Sequence, residues 1–177
     1  MMFKRGTFLI IFLAFLLAPG CQQRQEDNDQ TKTKGDKKSL VRVNKYMIEK
    51  DREIIENYIK RREWKMEMTA SGLWYMIYEN GAGEEVEEGS LVTMHYTLHL
   101  LDGTLCYDSD ETGPKHFVVG RGGAEPGLDE GIRFLKMGDK ARFILPPHLA
   151  YGLMGDENKI PARSVIVYDL EVVSVQN

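Results

Sequence analysis

The chain has 177 residues, enough for one ordinary domain and additional segments. Apolar residues make up 42% and charged residues 28%, a globular composition that excludes disorder along the whole length. The net charge of −4 gives no reason to expect nucleic acid as a partner. Two cysteines cannot build a disulfide framework or a four-ligand metal site.

The first twenty residues have the pattern of a secretory signal. Lys4 and Arg5 precede an unbroken apolar run from Phe8 to Ala18, which is shorter than the roughly 20 residues that a membrane-spanning helix needs. The alternative, a buried N-terminal helix, would need a surrounding core, and the polar segment that follows supplies none. We therefore expect a signal peptide over residues 1–20.

The apolar run ends in Leu17-Ala18-Pro19-Gly20-Cys21, which resembles a bacterial lipobox, although Ala18 and Pro19 depart from its usual pattern. The resemblance implies cleavage before Cys21 and a lipid anchor on that cysteine. Plain secretion, with cleavage nearby, is the alternative. Cleavage would leave 21 basic against 27 acidic residues, a net charge of −6. We expect the protein in the cell envelope, lipid-anchored to the periplasmic side of the outer membrane.

Two segments of contrasting pattern follow Cys21. Residues 22–39 contain no aliphatic or aromatic residue, so we expect 21–39 to form a lipidated cysteine and a disordered tether. Residues 40–69 carry apolar residues at intervals near 3.6 and no Gly or Pro, which predicts an amphipathic helix. The apolar face of this helix over 40–68 either packs on the chain's own domain or contacts a partner or a second copy.

After Ser71-Gly72 the apolar period falls to two, which is typical of half-buried antiparallel strands. Alternation is clear over 91–100 and again over 141–145 and 166–172, and one face of the first segment carries Val92, Met94, Tyr96, Leu98 and Leu100. Pro126 and the apolar residues after it predict one short helix that Gly138 can close. We predict an α+β fold in which an antiparallel sheet wraps around one short helix.

Motifs of common catalytic sites are missing from the sequence. The glycines at 120, 122 and 123 lack the Lys and Ser/Thr of a phosphate loop, and there is no Gly-x-Ser-x-Gly elbow. His95 and His99 lie about 13 Å apart on one strand, too far to share a metal. Cys106 is expected as a small apolar core residue, with a regulatory thiol as the alternative. Asp108 is either a turn-capping aspartate or a functional acid.

Aromatic residues concentrate at the ends of elements and in loops, at Tyr96, Tyr107, Phe117, Tyr151 and Tyr168. Each of them alone is explained by core packing. Together they can line a small apolar pocket with hydroxyl groups at its edge, suited to a compact apolar ligand.

The order and spacing of several segments resemble FKBP-type peptidyl-prolyl isomerases from about Ser71 to the C-terminus. The segments are Val92-Thr-Met-His-Tyr96-Thr, Leu101-Asp-Gly103, Tyr107-Asp108-Ser109, Pro126-Gly-Leu-Asp-Glu-Gly131, Met137-Gly138, Pro147-His-Leu-Ala-Tyr151-Gly152, Ile160-Pro161 and Val167-Tyr168-Asp169-Leu-Glu171. The lipobox and the amphipathic helix resemble those of the bacterial envelope lipoproteins in this family, the gliding-motility-associated group in particular. The resemblance implies an antiparallel sheet around one helix, a hydrophobic proline pocket, proline-containing polypeptides as partners, and no cofactor or metal.

The resemblance also assigns site residues. It implies catalytic roles for Tyr96, Asp108 and Tyr151. Substrate binding falls to Tyr107, Phe117, Glu125, Leu128, Ile160 and Tyr168. We expect Tyr151 and the backbone N–H of Glu125 to position substrate carbonyls, and Asp108 to orient the Tyr96 hydroxyl or to polarise the bound amide carbon.

Three of these positions, and Lys115 beside them, depart from the common pattern of the family. Leu128 stands where many members have Trp, and Tyr168 replaces a common Phe. Lys115 occupies a usually aromatic wall position, and Glu125 brings a charge that is expected to make the rim of the pocket more polar.

The function implied is cis-trans isomerisation of X-Pro bonds in envelope proteins, which assists their folding. No bond is broken in this reaction, so no nucleophile or acid–base pair is needed. The alternative is a non-catalytic proline-binding or scaffold module with the same fold.

Overall fold

The computed structural model describes the backbone of residues 23–177 and the side chains of residues 39–177. The predicted signal peptide and the predicted lipidation site Cys21 lie outside the described residues. Residues 44–177 form one compact unit, and the candidate site belongs entirely to it. No helix in the described part of the chain is long and apolar enough to cross a membrane.

Helix α1 runs from Gln23 to Arg61, which corrects both predicted ends of the N-terminal helix. The backbone is helical over 23–39, where the sequence predicts a disordered tether. A segment without apolar residues cannot form a core, but its Gln, Glu, Lys and Arg residues have favourable helix propensities and can extend an existing helix.

The C-terminus of α1 lies eight residues before the predicted one. The Trp64 amide donates to the Ile59 carbonyl oxygen over 3.3 Å, and Glu63 adopts a left-handed backbone with φ of 56°. Such a residue closes a helix because it turns the chain away from the helix axis. The sheet therefore begins at Glu67, within the segment predicted as helix.

Within residues 23–177 seven strands form one sheet, and its antiparallel pairing is as the sequence predicts. The strands are β1 (Glu67–Met68), β2 (Trp74–Glu79), β3 (Leu91–Leu100), β4 (Leu105–Asp108), β5 (Lys115–Val118), β6 (Lys140–Leu145) and β7 (Ile166–Gln176). Their order is β1-β2-β6-β7-β3-β4, and β5 also pairs with β3. The alternation predicted for β3 is confirmed, since Val92, Met94 and Leu98 are buried on one face.

Two short helices complete the fold of the domain. Helix α2 (Ser109–Thr112) follows β4 directly. Helix α3 (Pro126–Gly131) has Pro126 in its first turn, as predicted, and continues into a 3₁₀ turn at Ile132–Phe134. The helix is shorter than the sequence predicts, but it buries Leu128 and Ile132 completely beneath the sheet. The α+β fold with a sheet around one short helix is therefore confirmed.

The last turns of α1 pack on the opposite face of this sheet. Ile55, Tyr58 and Ile59 are buried against Ile144 of β6 and Val167 of β7. Because side chains alternate along a strand, these two strand residues face away from the main core. Packing on the chain's own domain is thus the observed arrangement for this part of the helix, whereas Tyr46, Ile48 and Ile54 are exposed.

Candidate functional site

Four of the residues predicted to contact a proline ring belong to the main core. Phe117 lies on β5, Leu128 on α3, Tyr168 on β7 and Ile160 in the loop before β7. Their exposed fractions are 4%, 0%, 1% and 2% respectively. Four separate elements thus contribute to one dry cluster, an arrangement suited to a compact apolar ligand.

The other predicted aromatic site residues pack against the main core and are only partly buried. They are Tyr96, Tyr107 and Tyr151. The ring of Tyr96 lies 5.6 Å from that of Tyr168, centroid to centroid, at an angle of 57°, within the range at which aromatic rings attract one another. The partly buried rings form the boundary between the apolar cluster and solvent.

Glu125 occupies this site in a way that the sequence does not predict. It lies at the N-cap of α3 and is only 8% exposed, so its carboxylate is turned inward and is not part of a solvated rim. The Nζ atom of Lys115 donates to both carboxylate oxygens, over 3.1 Å and 3.0 Å, and the Tyr151 hydroxyl donates to Oε1. The two charged departures from the family pattern are therefore one buried ion pair.

The pKa values of this cluster reflect burial and charge together. Burial acts to raise the pKa of Glu125, but the positive charge of Lys115 and the hydrogen bond from Tyr151 outweigh it, and the pKa lies below 4.5. Burial and the nearby carboxylate raise the pKa of Tyr151 and of Tyr168 well above 10. At neutral pH the carboxylate is therefore ionised and both hydroxyls keep their protons.

Tyr107 is tied to the loop that carries Ile160. Its hydroxyl donates to the carboxylate of Asp156, while the other oxygen of that carboxylate accepts from the Ile160 amide over 2.7 Å. Burial would raise the pKa of Asp156, but these hydrogen bonds lower it. Sequence reasoning missed Asp156, although its spacing from Asn158 is the signature of an Asx turn.

Asp108 ends β4 and caps α2. One of its side-chain oxygens accepts from the Asp110 amide over 2.8 Å, which is the turn-capping role weighed from the sequence. Within residues 39–177 no hydrogen bond links this carboxylate to the Tyr96 hydroxyl, so its action on that hydroxyl stays a prediction. Both residues border the same shallow polar hollow of about 240 Å³.

The remaining candidate ligands are explained by structure. His95 contacts the Ser109 hydroxyl over 3.1 Å, and the described residues contain no group of His, Cys, Asp and Glu that could hold a metal ion. Cys106 is 1% exposed, and burial raises the pKa of its thiol. This position fits the core residue predicted for it and disfavours a reactive thiol.

Comparison with known proteins identifies relatives of this chain. A model of the FKBP-type peptidyl-prolyl cis-trans isomerase family matches residues 82–173. The chain is 36% identical over 116 residues to FK506-binding protein 2 of Yarrowia lipolytica, spanning 65% of this chain and 81% of that protein. It is 33% identical over 152 residues to the FKBP-type isomerase FkpA of Aeromonas hydrophila, spanning 84% of this chain but only 52% of that protein.

A crystal structure extends the likeness to the fold. The structure of FkpA from Escherichia coli superposes with a TM-score of 0.63 at 27% identity, covering 89% of this chain and 74% of the other. The family match covers more than half of the chain, and the pocket residues quoted above lie within it. The chain therefore belongs to the FKBP-type peptidyl-prolyl cis-trans isomerase family.

Proposed function

We propose that this chain isomerises X-Pro bonds in polypeptides of the bacterial cell envelope and so assists their folding. The observation that carries the proposal is the burial of Phe117, Leu128, Ile160 and Tyr168 in one core, where the ring of Tyr168 packs against the partly open ring of Tyr96. A proline ring is compact and apolar, and burying it between such side chains releases its surface from water.

The chemistry follows from the amide itself. Rotation about an X-Pro bond crosses a barrier of roughly 20 kcal/mol, because resonance gives the C–N bond partial double-bond character and places negative charge on the oxygen. A dry pocket stabilises that charge separation less than water does. It therefore favours the twisted, less delocalised amide of the transition state over the planar ground state.

The polar residues of the site have separate roles in this proposal. Tyr96, Phe117, Leu128, Ile160 and Tyr168 contact the proline ring. Tyr107 holds the loop of Ile160 in place through Asp156. Tyr151 and the Glu125 backbone N–H are the donors available to substrate carbonyls, and Asp108 acts on the Tyr96 hydroxyl or on the amide carbon.

A protease-coupled assay with an X-Pro tetrapeptide tests the proposal on the chain purified in detergent. We expect acceleration above the uncatalysed rate, and loss of that acceleration in Asp108→Ala. Absence of acceleration with peptide binding intact would favour the second candidate, a non-catalytic proline-binding module. The observation that favours this second candidate is the buried pair of Lys115 and Glu125, which makes the wall of the pocket more polar.

We further propose that the protein is a lipoprotein, with a signal peptide over 1–20 and a lipid anchor on Cys21, held on the periplasmic side of the outer membrane. The support is the basic start, the short apolar run and the cysteine that follows it. Mass spectrometry and membrane fractionation of Cys21→Ser test this, and unchanged fractionation would exclude lipid anchoring through that residue. The same proposal places the protein in the gliding-motility-associated subgroup of the envelope lipoproteins.

A contact with a partner or a second copy through α1 completes the proposal. Tyr46, Ile48 and Ile54 of the helix are 64%, 48% and 49% exposed, and exposed apolar side chains on one element favour association. Light scattering of the wild type and of Ile48→Lys tests this contact, since an unchanged mass would contradict self-association.

A further inference from the structure

The Glu125 carboxylate is held by two side-chain donors of the site. It accepts from the Lys115 ammonium through both oxygens and from the Tyr151 hydroxyl through one. An ionised carboxylate offers about four lone-pair positions, so this carboxylate has little acceptor capacity left for a ligand.

The Tyr151 hydroxyl is one of the donors that the proposed function assigns to substrate carbonyls. It carries a single proton, and that proton is directed at the Glu125 carboxylate. A hydrogen bond to an ionised acceptor is roughly twice as strong as one to a neutral carbonyl. A substrate carbonyl must therefore displace the stronger acceptor before it can use this donor.

We propose that Glu125 is a specificity-determining residue that acts as an internal ligand of the Tyr151 hydroxyl, so that the site prefers substrates bound through apolar contacts with the proline ring. This inference rests on the proposed function, because it concerns the same site. Substrates and inhibitors that depend on a hydrogen bond from Tyr151 are disfavoured by it. Removal of the carboxylate charge should release this donor.

Stability alone gives no reason for this ion pair. The side chains of Lys115 and Glu125 are 21% and 7% exposed, and burying two charges costs desolvation that a pair of apolar side chains avoids. An apolar pair at these positions would complete the wall of the pocket without that cost. Proteins keep a costly ion pair of this kind mainly at functional sites, so we expect the pair of Lys115 and Glu125 to serve substrate binding.

The experiment measures peptide affinity and catalysis in the full chain in detergent. The probe is the tetrapeptide Ala-Leu-Pro-Phe, with Kd from calorimetry and kcat/KM from the protease-coupled assay. In Glu125→Gln we expect about tenfold tighter peptide binding and a lower KM, with little change in kcat. A tenfold change in Kd corresponds to the contribution of one hydrogen bond. Glu87→Gln is the matched control, since it removes one exposed carboxylate outside the site, and its Kd should not change.

A double-mutant cycle separates this role from a structural one. In the wild type, Tyr151→Phe should change the peptide Kd by less than about twofold, because the hydroxyl is already engaged, whereas in Glu125→Gln the same change should remove the whole gain. If Glu125→Gln loses its native near-UV circular dichroism, the inference is decided by Tyr151→Phe alone, and a tenfold loss of affinity there overturns it. A folded Glu125→Gln with unchanged or weaker affinity also overturns it.

The cycle also distinguishes failure of the inference from failure of the proposed function. If the wild type binds the peptide but does not accelerate isomerisation, the enzyme assignment fails while the four Kd values still decide the role of Glu125. The four Kd values are those of the wild type, Glu125→Gln, Tyr151→Phe and the double variant. If the wild type is active and the changes in binding free energy of the two single variants add up to that of the double variant, the enzyme assignment stands and Glu125 is not an internal ligand.

Discussion

Replacing Lys115 with Met should expose how strongly the pocket depends on its ion pair. Met keeps the length of the side chain but leaves the Glu125 carboxylate, 7% exposed, without its cation. Removing one partner of a fully buried pair costs about 3–5 kcal/mol. Here Lys115 is partly exposed, and the hydroxyl of Tyr151 remains as a donor. We therefore expect a loss of about 2 kcal/mol in the free energy of unfolding at pH 7, or roughly 8 °C in Tm.

The pH dependence of this loss gives a sharper test, since its sign follows from the pKa of Glu125. In the wild type that pKa is lowered from 4.5, so the stability that Glu125 contributes is present above pH 4.5 and is lost as the pH falls through the folded-state value. Without Lys115, burial should raise the folded-state pKa above 4.5, and stability is then lost as the pH rises. The groups facing Glu125 besides Lys115 are Tyr151 and Tyr168, which stay protonated throughout.

Urea unfolding followed by tryptophan fluorescence at pH 7 and pH 4 measures both effects. The difference between wild type and Lys115→Met should shrink as the pH falls. The matched control is Lys50→Met, which removes a lysine from an exposed ion pair with Glu53 and should leave the unfolding midpoint unchanged at both pH values. A loss of the same size at pH 4 and pH 7, or no loss, would refute the reasoning about the buried pair.

Three further changes test other parts of the site. Leu128→Ala should lower the free energy of unfolding by about 2–5 kcal/mol, because the side chain is fully buried. The variant should also bind the peptide more weakly in calorimetry. A loss below about 1 kcal/mol by urea unfolding would contradict the expected role of Leu128 in the core. Asp156→Ala removes the acceptor that joins Tyr107 to the Ile160 amide, so we expect several-fold weaker peptide binding with a small change in Tm, and equal affinity would argue against that loop as part of the pocket. Gly155→Ala should lower Tm far more than Gly152→Ala. Both glycines have positive φ, but only at residue 155 would a new Cβ meet backbone, 2.2 Å from the Ile160 carbonyl oxygen. Equal shifts of Tm in differential scanning calorimetry would count against the clash.

Much of the fold could be predicted because its signals are local. Alternation along β3 assigned Val92, Met94 and Leu98 to the core face, and the structure buries all three. Pro126 marked the start of α3 for the same reason, since its fixed φ suits a first helical turn. The ends of α1 were missed because the polarity of 23–39 excludes a core but not a solvated helix, and because the left-handed turn at Glu63 leaves no mark in the periodicity.

The sequence by itself determined the family, and it predicted apolar site residues that the structure buries in the main core, because motif order and hydrophobic pattern survive without knowledge of distances. Only the tertiary structure decided how the charged residues are used. Lys115 and Glu125 are ten residues apart in the chain, Tyr151 lies 26 residues further on, and neither charge is buried by any local property of its own segment. Their meeting depends on β5, α3 and the loop after β6 converging around one core. The fold thus pairs two charges that were expected to make a more polar rim, and it buries the carboxylate of that pair.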